Sequence, residues 1–211
     1  MPRKKKSFGI PVFQMKVVLK DAPVPIWRRV EARADMPLDL LHEVFQILMG
    51  WQDSHLHLFR SGKDEYHSKL MDPTIDEGPD ELDESQYVLS DLVKEPGDSF
   101  IYRYDFGDCW EHAVTLESTS VSPVKEHVPE FFAWCVDGRR ACPPEDVGGT
   151  RGYERFLEAI EDPLHPEHEE NSQWVGCRFE ADTFDIRITN QRLYELNLSL
   201  NVSEIADMLE R

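Results

Sequence analysis

From Val12 to Leu19 the apolar residues Phe13, Met15, Val17 and Leu19 alternate with more polar neighbours, the period of a strand with one buried face. A second strand follows from Ile26 to Ala32. Between them Asp21-Ala-Pro23-Val-Pro25 supplies turn chemistry, so the two are expected to pair antiparallel. Asp35 reads as a helix N-cap with Pro37 in the first turn, opening a helix over about residues 36–49 that ends at Gly50. Leu38, Leu41, Phe45 and Leu48 recur at helical spacing, and Leu40, Val44 and Ile47 add a second stripe. A helix apolar over so wide an arc is expected to lie across a sheet.

The alternation resumes from Asp53 to Phe59, where strand parity puts Asp53, His55, His57 and Phe59 on one face. Residues 72–84 are rich in Asp, Glu, Gly and Pro and read as a solvated loop. Over about residues 99–117, Phe100–Tyr104 and Trp110–Leu116 form the clearest hairpin signal, joined by Asp105-Phe-Gly107-Asp. His112 shares a face with Trp110, Val114 and Leu116, while Glu111 points the other way. Cys135–Gly152 reads as an irregular connection, followed by short helices over Tyr153–Glu161, Pro166–Trp174 and Asn190–Asn197. These elements predict an α+β fold on an antiparallel or mixed sheet. The organisation expected is a basic tail at 1–10, one domain at 11–175 and a packed C-terminal extension at 176–211.

Composition narrows the function classes. A net charge of −18 over 211 residues opposes a phosphate backbone, and the only dense basic run is Arg3-Lys4-Lys5-Lys6. Nucleic acid is therefore disfavoured, with that tail as the one route to it. Nowhere does the chain offer the roughly 18 consecutive apolar residues of a membrane span. No signal peptide is legible either, so a cytoplasmic protein without a membrane partner is expected. Its four cysteines, Cys109, Cys135, Cys142 and Cys177, are too few for a disulfide framework and read as free thiols or ligands.

Several constellations carry chemistry. His55 and His57, with Asp53 of the same parity, have the spacing of a metal site on a strand, equally that of two polar residues on a solvent face. The Tyr104–His112 turn gathers Asp108, Glu111 and His112, which suit general acid–base work, although parity divides them. Cys135 and Cys142 are spaced too widely for a zinc knuckle, so a zinc or other divalent metal site would draw on His55, His57 or His112 as well. Asp137, Glu145 and Asp146 flank those thiols. His165 and His168 sit at a helix start, where Glu167, Glu169 and Glu170 match dipole preferences.

The strings Pro25-Ile-Trp27-Arg28-Arg29-Val, Leu41-His42-Glu43-Val, Met49-Gly50-Trp51, Asp53-Ser-His55-Leu-His57, Tyr104-Asp105-Phe106-Gly107-Asp108 and Trp110-Glu111-His112 form a co-linear set. Cys135-Val-Asp137-Gly and Ala141-Cys142-Pro143-Pro144-Glu145-Asp146-Val-Gly148-Gly149 complete it. From about Phe13 to Glu170 the chain resembles the plasmid pRiA4b ORF-3-like family. The resemblance implies an α+β fold and association with plasmids, chromosomes and insertion elements, where some members carry a transposon-resolvase, or TnpR-like, label. A serine resolvase needs a nucleophilic serine beside an arginine cluster and a basic helix-turn-helix, and neither pattern is legible here.

Three function classes follow. The first is a non-catalytic binding or accessory module docking a protein or small ligand through Trp51, Trp110 or Trp134, with Asp105, Asp137, Glu145 and Asp146 alongside. The second is a metal-dependent hydrolase with ligands among Asp53, His55, His57, His112, Cys135 and Cys142, and Asp108 or Glu111 as base. The third is a DNA-binding accessory protein acting through the basic tail. The binding module ranks first, and the balance leans against catalysis without closing it.

Overall fold

A computed structural model describes residues 9–68, 81–122, 132–176 and 178–209. The basic run at Arg3–Lys6, most of the acidic loop and Cys177 lie outside the described residues.

The chain begins with β1 (Ile10–Leu19), β2 (Trp27–Arg33) and α1 (Leu38–Met49), as the alternation and the helical stripe predict. β3 (His57–Ser61), β4 (Asp64–His67), the short β5 (Glu81–Asp83) and α2 (Leu89–Leu92) follow. The hairpin of β6 (Ser99–Tyr104) and β7 (Trp110–Ser122) leads to β8 (Ala133–Arg139), α3 (Gly149–Glu161), α4 (His168–Val175) and α5 (Ile186–Leu209). The strands form one mixed sheet in the order β5-β4-β3-β6-β7-β1-β2-β8, antiparallel except for β4 with β5. The fold is α+β.

One sheet face is apolar. Met15, Val17, Val30, Phe59, Phe100, Tyr102, Val114 and Leu116 are buried on it, and α1 covers it with Leu41, Phe45 and Leu48. The Phe45 ring lies 5.0 Å from Tyr102, 6.3 Å from Phe59 and 6.4 Å from Phe100. That burial, worth about 1.5–3 kcal/mol for each large apolar side chain, fixes the helix across β3 and β6. The opposite face is polar, and on it Glu111 takes ion pairs from Lys20, Arg60 and Arg103.

Four local expectations are corrected. The short helix expected over Asn190–Asn197 is the middle of α5, which runs from Ile186 to Leu209. Pro37, rather than Asp35, stands at the N-cap of α1, because the Asp35 carboxylate is engaged by Arg33 at 2.7 Å. β3 starts only at His57, because Asp53 adopts a left-handed φ of 57° and breaks the alternation. Residues 133–139 form a strand, not an irregular connection. β2 pairs with one edge, and the Asn190 side chain of α5 bonds the backbone N–H and carbonyl of Cys135 on the other, each at 2.8 Å. A side-chain amide thus stands in for a neighbouring strand, which local sequence does not reveal.

Candidate functional site

Three loops meet at the end of the sheet where β6 turns into β7. In residues 105–109 the chain reverses with Asp105 at φ 56° and Cys109 at φ 58°. The Asp105 Oδ1 atom accepts the N–H groups of Gly107 and Asp108 at 2.8 and 3.2 Å, a side-chain turn that tolerates the left-handed backbone. The 51–56 loop is tied on by the Asp105 N–H to the Leu56 carbonyl at 2.9 Å and by the Ser54 N–H to the Tyr104 hydroxyl at 2.9 Å. The 143–149 loop is tied on by Trp51 Nε1 donating to the Pro143 carbonyl, Gln52 N–H to Glu145 and Gly148 N–H to Asp108.

Gly149 is required at this junction. Its φ is 67°, and a Cβ there would lie 2.7 Å from the Asp108 carbonyl oxygen, inside contact distance. The Tyr104 hydroxyl donates to Glu145, and burial followed by that carboxylate pushes the phenol's pKa up. Beneath the loops, Trp51 stacks on Tyr104 at 4.9 Å and approaches Trp110 at 6.2 Å. Trp51 and Trp110 are 2% and 1% exposed, so they form the floor and present no ligand-facing surface. Trp134 remains 41% exposed.

The loops carry His55 toward two carboxylates. Its Nε2 lies 3.1 Å from Asp146 Oδ1 and 3.7 Å from Asp105 Oδ2. The nitrogen is sealed from solvent, yet it makes no hydrogen bond to either carboxylate. The Asp146 side chain is 70% exposed, so the cluster opens to solvent on that side.

His57 belongs to a different cluster. Its ring stacks on His42 of α1 with centroids 3.5 Å apart and planes 5° apart, and its Nε2 meets the buried Glu84 at 2.9 Å. The protons here are fixed by a chain of contacts. The Asp53 N–H donates to Gln46 Oε1, so Gln46 Nε2 donates to the Tyr102 hydroxyl. That hydroxyl must then give its proton to His42 Nδ1, at 2.8 Å, leaving His42 Nε2–H to donate to Asp53 at 2.7 Å. Burial, then the neighbouring His57, lowers the His42 pKa to about 4, in keeping with this neutral tautomer.

Atoms of His42, Asp53 and His57 are close enough to surround an ion, but the ring geometry opposes it. An ion at about 2.0–2.1 Å from an imidazole nitrogen lies near that ring's plane. Stacked, nearly parallel planes share no such point, and both His42 nitrogens are already hydrogen-bonded.

The remaining sequence candidates are dispersed. His112 is fully buried, its Nδ1 on the Tyr102 carbonyl at 3.3 Å, and burial lowers its pKa to about 4. Glu111 is held to about 2, first by the hydrogen bond from Lys20 and then by that from Arg103. Cys142 accepts from the buried Arg28 at 3.2 Å, Cys135 lies against α5, and burial raises both thiols. Neither joins a histidine in a metal-sized group among the described residues. Asp137 pairs with Arg29 across β2 and β8. Sequence reasoning missed His42, Gln46, Tyr102 and Glu84 as one network; a histidine one turn before Gln46 on a buried helix was its only local signal. A groove of about 730 Å³ beside α3 and α4 is lined by no residue of either cluster.

The sequence profile of a family described as "Plasmid pRiA4b ORF-3-like protein" matches residues 11–188. "Uncharacterized protein y4hQ" of Sinorhizobium fredii is 38% identical over 166 residues, covering 78% of this chain and 81% of that protein. A crystal structure titled "Protein of Unknown Function MM3350", from Methanosarcina mazei Go1, superposes with a TM-score of 0.71 at 33% identity. It covers 85% of this chain and 97% of that chain. Among the described residues no helix is long and apolar enough to cross a membrane.

Proposed function

The chain belongs to the plasmid pRiA4b ORF-3-like protein family, and from that footing we propose that it is a non-catalytic binding module whose ligand is a cation, received where the 51–56, 105–109 and 143–149 loops meet. One observation carries the reading. These loops bring Asp105, Asp108, Glu145, Asp146 and His55 to one end of the sheet, and their sequences contain no Lys or Arg. Carboxylates gathered without a fixed counter-charge attract a mobile one. The net charge of −18 extends that attraction beyond the site.

The groups that acid–base chemistry would need are otherwise engaged. Glu111 sits in its ion-pair network on the polar face, His112 is sealed in the core, and Asp108 receives the Gly148 N–H at 3.0 Å. A binding role therefore fits better than hydrolysis. The cytoplasm suits this reading, since Cys109, Cys135 and Cys142 are free thiols.

Thermal denaturation with Mn²⁺, Zn²⁺ or spermidine tests the reading. At least one of these cations is expected to raise Tm in the wild type and to lose most of its effect in Asp146→Asn. If none stabilises the protein, or if stabilisation persists unchanged in the variant, the loops are not a cation site.

A further inference from the structure

We propose that the cation is a first-row divalent metal ion bound by His55 Nε2 and one carboxylate oxygen each from Asp105 and Asp146, an inference that rests on the cation-binding reading above. The three donor atoms all lie within 4.8 Å of one another. Donors that share an ion at about 2.1 Å, separated by about 90–110°, sit roughly 3.0–3.4 Å apart. The His55–Asp146 separation of 3.1 Å matches such an edge, and the His55–Asp105 separation of 3.7 Å needs only a small closure.

The competing account is a protonated His55 bridging two carboxylates. It requires Nε2–H to hydrogen-bond an oxygen, yet Nε2 makes no hydrogen bond: Asp105 is too far at 3.7 Å, and the 3.1 Å contact with Asp146 is not aligned for one.

The donor set indicates the ion class. One imidazole nitrogen with carboxylate oxygens suits Zn²⁺ or Mn²⁺, whereas Ca²⁺ and Mg²⁺ favour all-oxygen shells and soft ions favour thiolates. Two aspartates balance a dication, so binding would leave the cluster neutral. Asp105 is preorganised, because its Oδ1 is committed to the turn and its Oδ2 is the oxygen toward His55. Asp146, at φ 60° and largely exposed, is the ligand able to move.

The test uses the full chain, stripped of ions by a chelator and dialysed, in calorimetric titrations with Zn²⁺, with Mn²⁺ and, separately, with spermidine. Near-stoichiometric Zn²⁺ or Mn²⁺ binding is expected, at least tenfold weaker in Asp146→Asn and in His55→Ala, and unchanged within twofold in Asp53→Asn. Asp146→Asn is the decisive variant because its exposed side chain leaves the fold intact. Absence of metal binding, or binding undiminished in Asp146→Asn, overturns the metal assignment. If spermidine alone binds and Asp146→Asn abolishes it, the metal assignment fails and the cation-binding reading stands. If neither metal nor spermidine binds, both fail.

Discussion

The two imidazole clusters lie close along the chain and differ in where their nitrogens can send a lone pair. His42 has none to spare: Nδ1 accepts from Tyr102, Nε2–H donates to Asp53, and its face is covered by His57. His55 keeps Nε2 uncommitted between Asp105 and an Asp146 that is 70% exposed. Identical residue types thus do opposite work. Where every donor has an acceptor, histidine locks a core; where carboxylates outnumber donors at an open edge, its nitrogen is left for the ion we propose.

The comparison breaks most visibly in acid. His112 has an ordinary value of 6.5 when exposed in the unfolded chain and about 4 in the fold. Below 6.5 the unfolded chain takes up a proton that the folded one refuses. Stability is therefore complete above that value and drains as pH falls toward 4, by about 3 kcal/mol for His112 alone. His42 adds a loss of the same sign over the same window. Glu111, lowered to about 2 from 4.5, extends the decline into the lower window as its carboxylate is neutralised. Urea unfolding at pH 7 and pH 4.5 measures the first part, and equal stabilities at the two would mean that the sealed rings are not sealed.

Gly149→Ala acts on the open cluster through its backbone. With Cβ placed 2.7 Å from the Asp108 carbonyl and φ at 67°, it is expected to cost about 2 kcal/mol and to weaken cation binding by displacing Asp146. Chemical denaturation alongside a metal titration checks both effects, and a neutral outcome would show that the 143–149 loop is not fixed by this approach. Tyr102→Phe acts on the sealed cluster, stranding His42 Nδ1 and Gln46 Nε2 for about 1–2 kcal/mol. It should leave cation affinity untouched; a large affinity change would couple the clusters and dissolve the distinction. Smallest in stability is Asp146→Asn, within about 0.5 kcal/mol of wild type as an exposed substitution, while its effect on ligand binding is the greatest.

Much of the fold was legible because its signals are local. The β1–β2 and β6–β7 hairpins follow from alternation and turn residues, and α1 from its apolar arc. The opposed faces of His112 and Glu111 also follow from parity. β8 was not legible, since Asn190 on a distant helix completes its edge. The site was legible only in part. Asp105, Glu145, Asp146 and His55 were all named as candidates, but parity grouped His55 with His57. His55 precedes β3, so strand parity does not reach it, and the 51–56 loop that carries it is held by Gln46 and His42 on Asp53 and by Tyr104 on Ser54, tertiary contacts that no pattern within residues 53–59 encodes.

The most direct measurement is nitrogen-15 NMR of the imidazole side chains as Zn²⁺ is added to ion-free protein. The account predicts that the His55 Nε2 resonance moves to the range of a metal-bound nitrogen while those of His42 and His57 stay in place. Movement of the His42 or His57 resonances with His55 unchanged would contradict it.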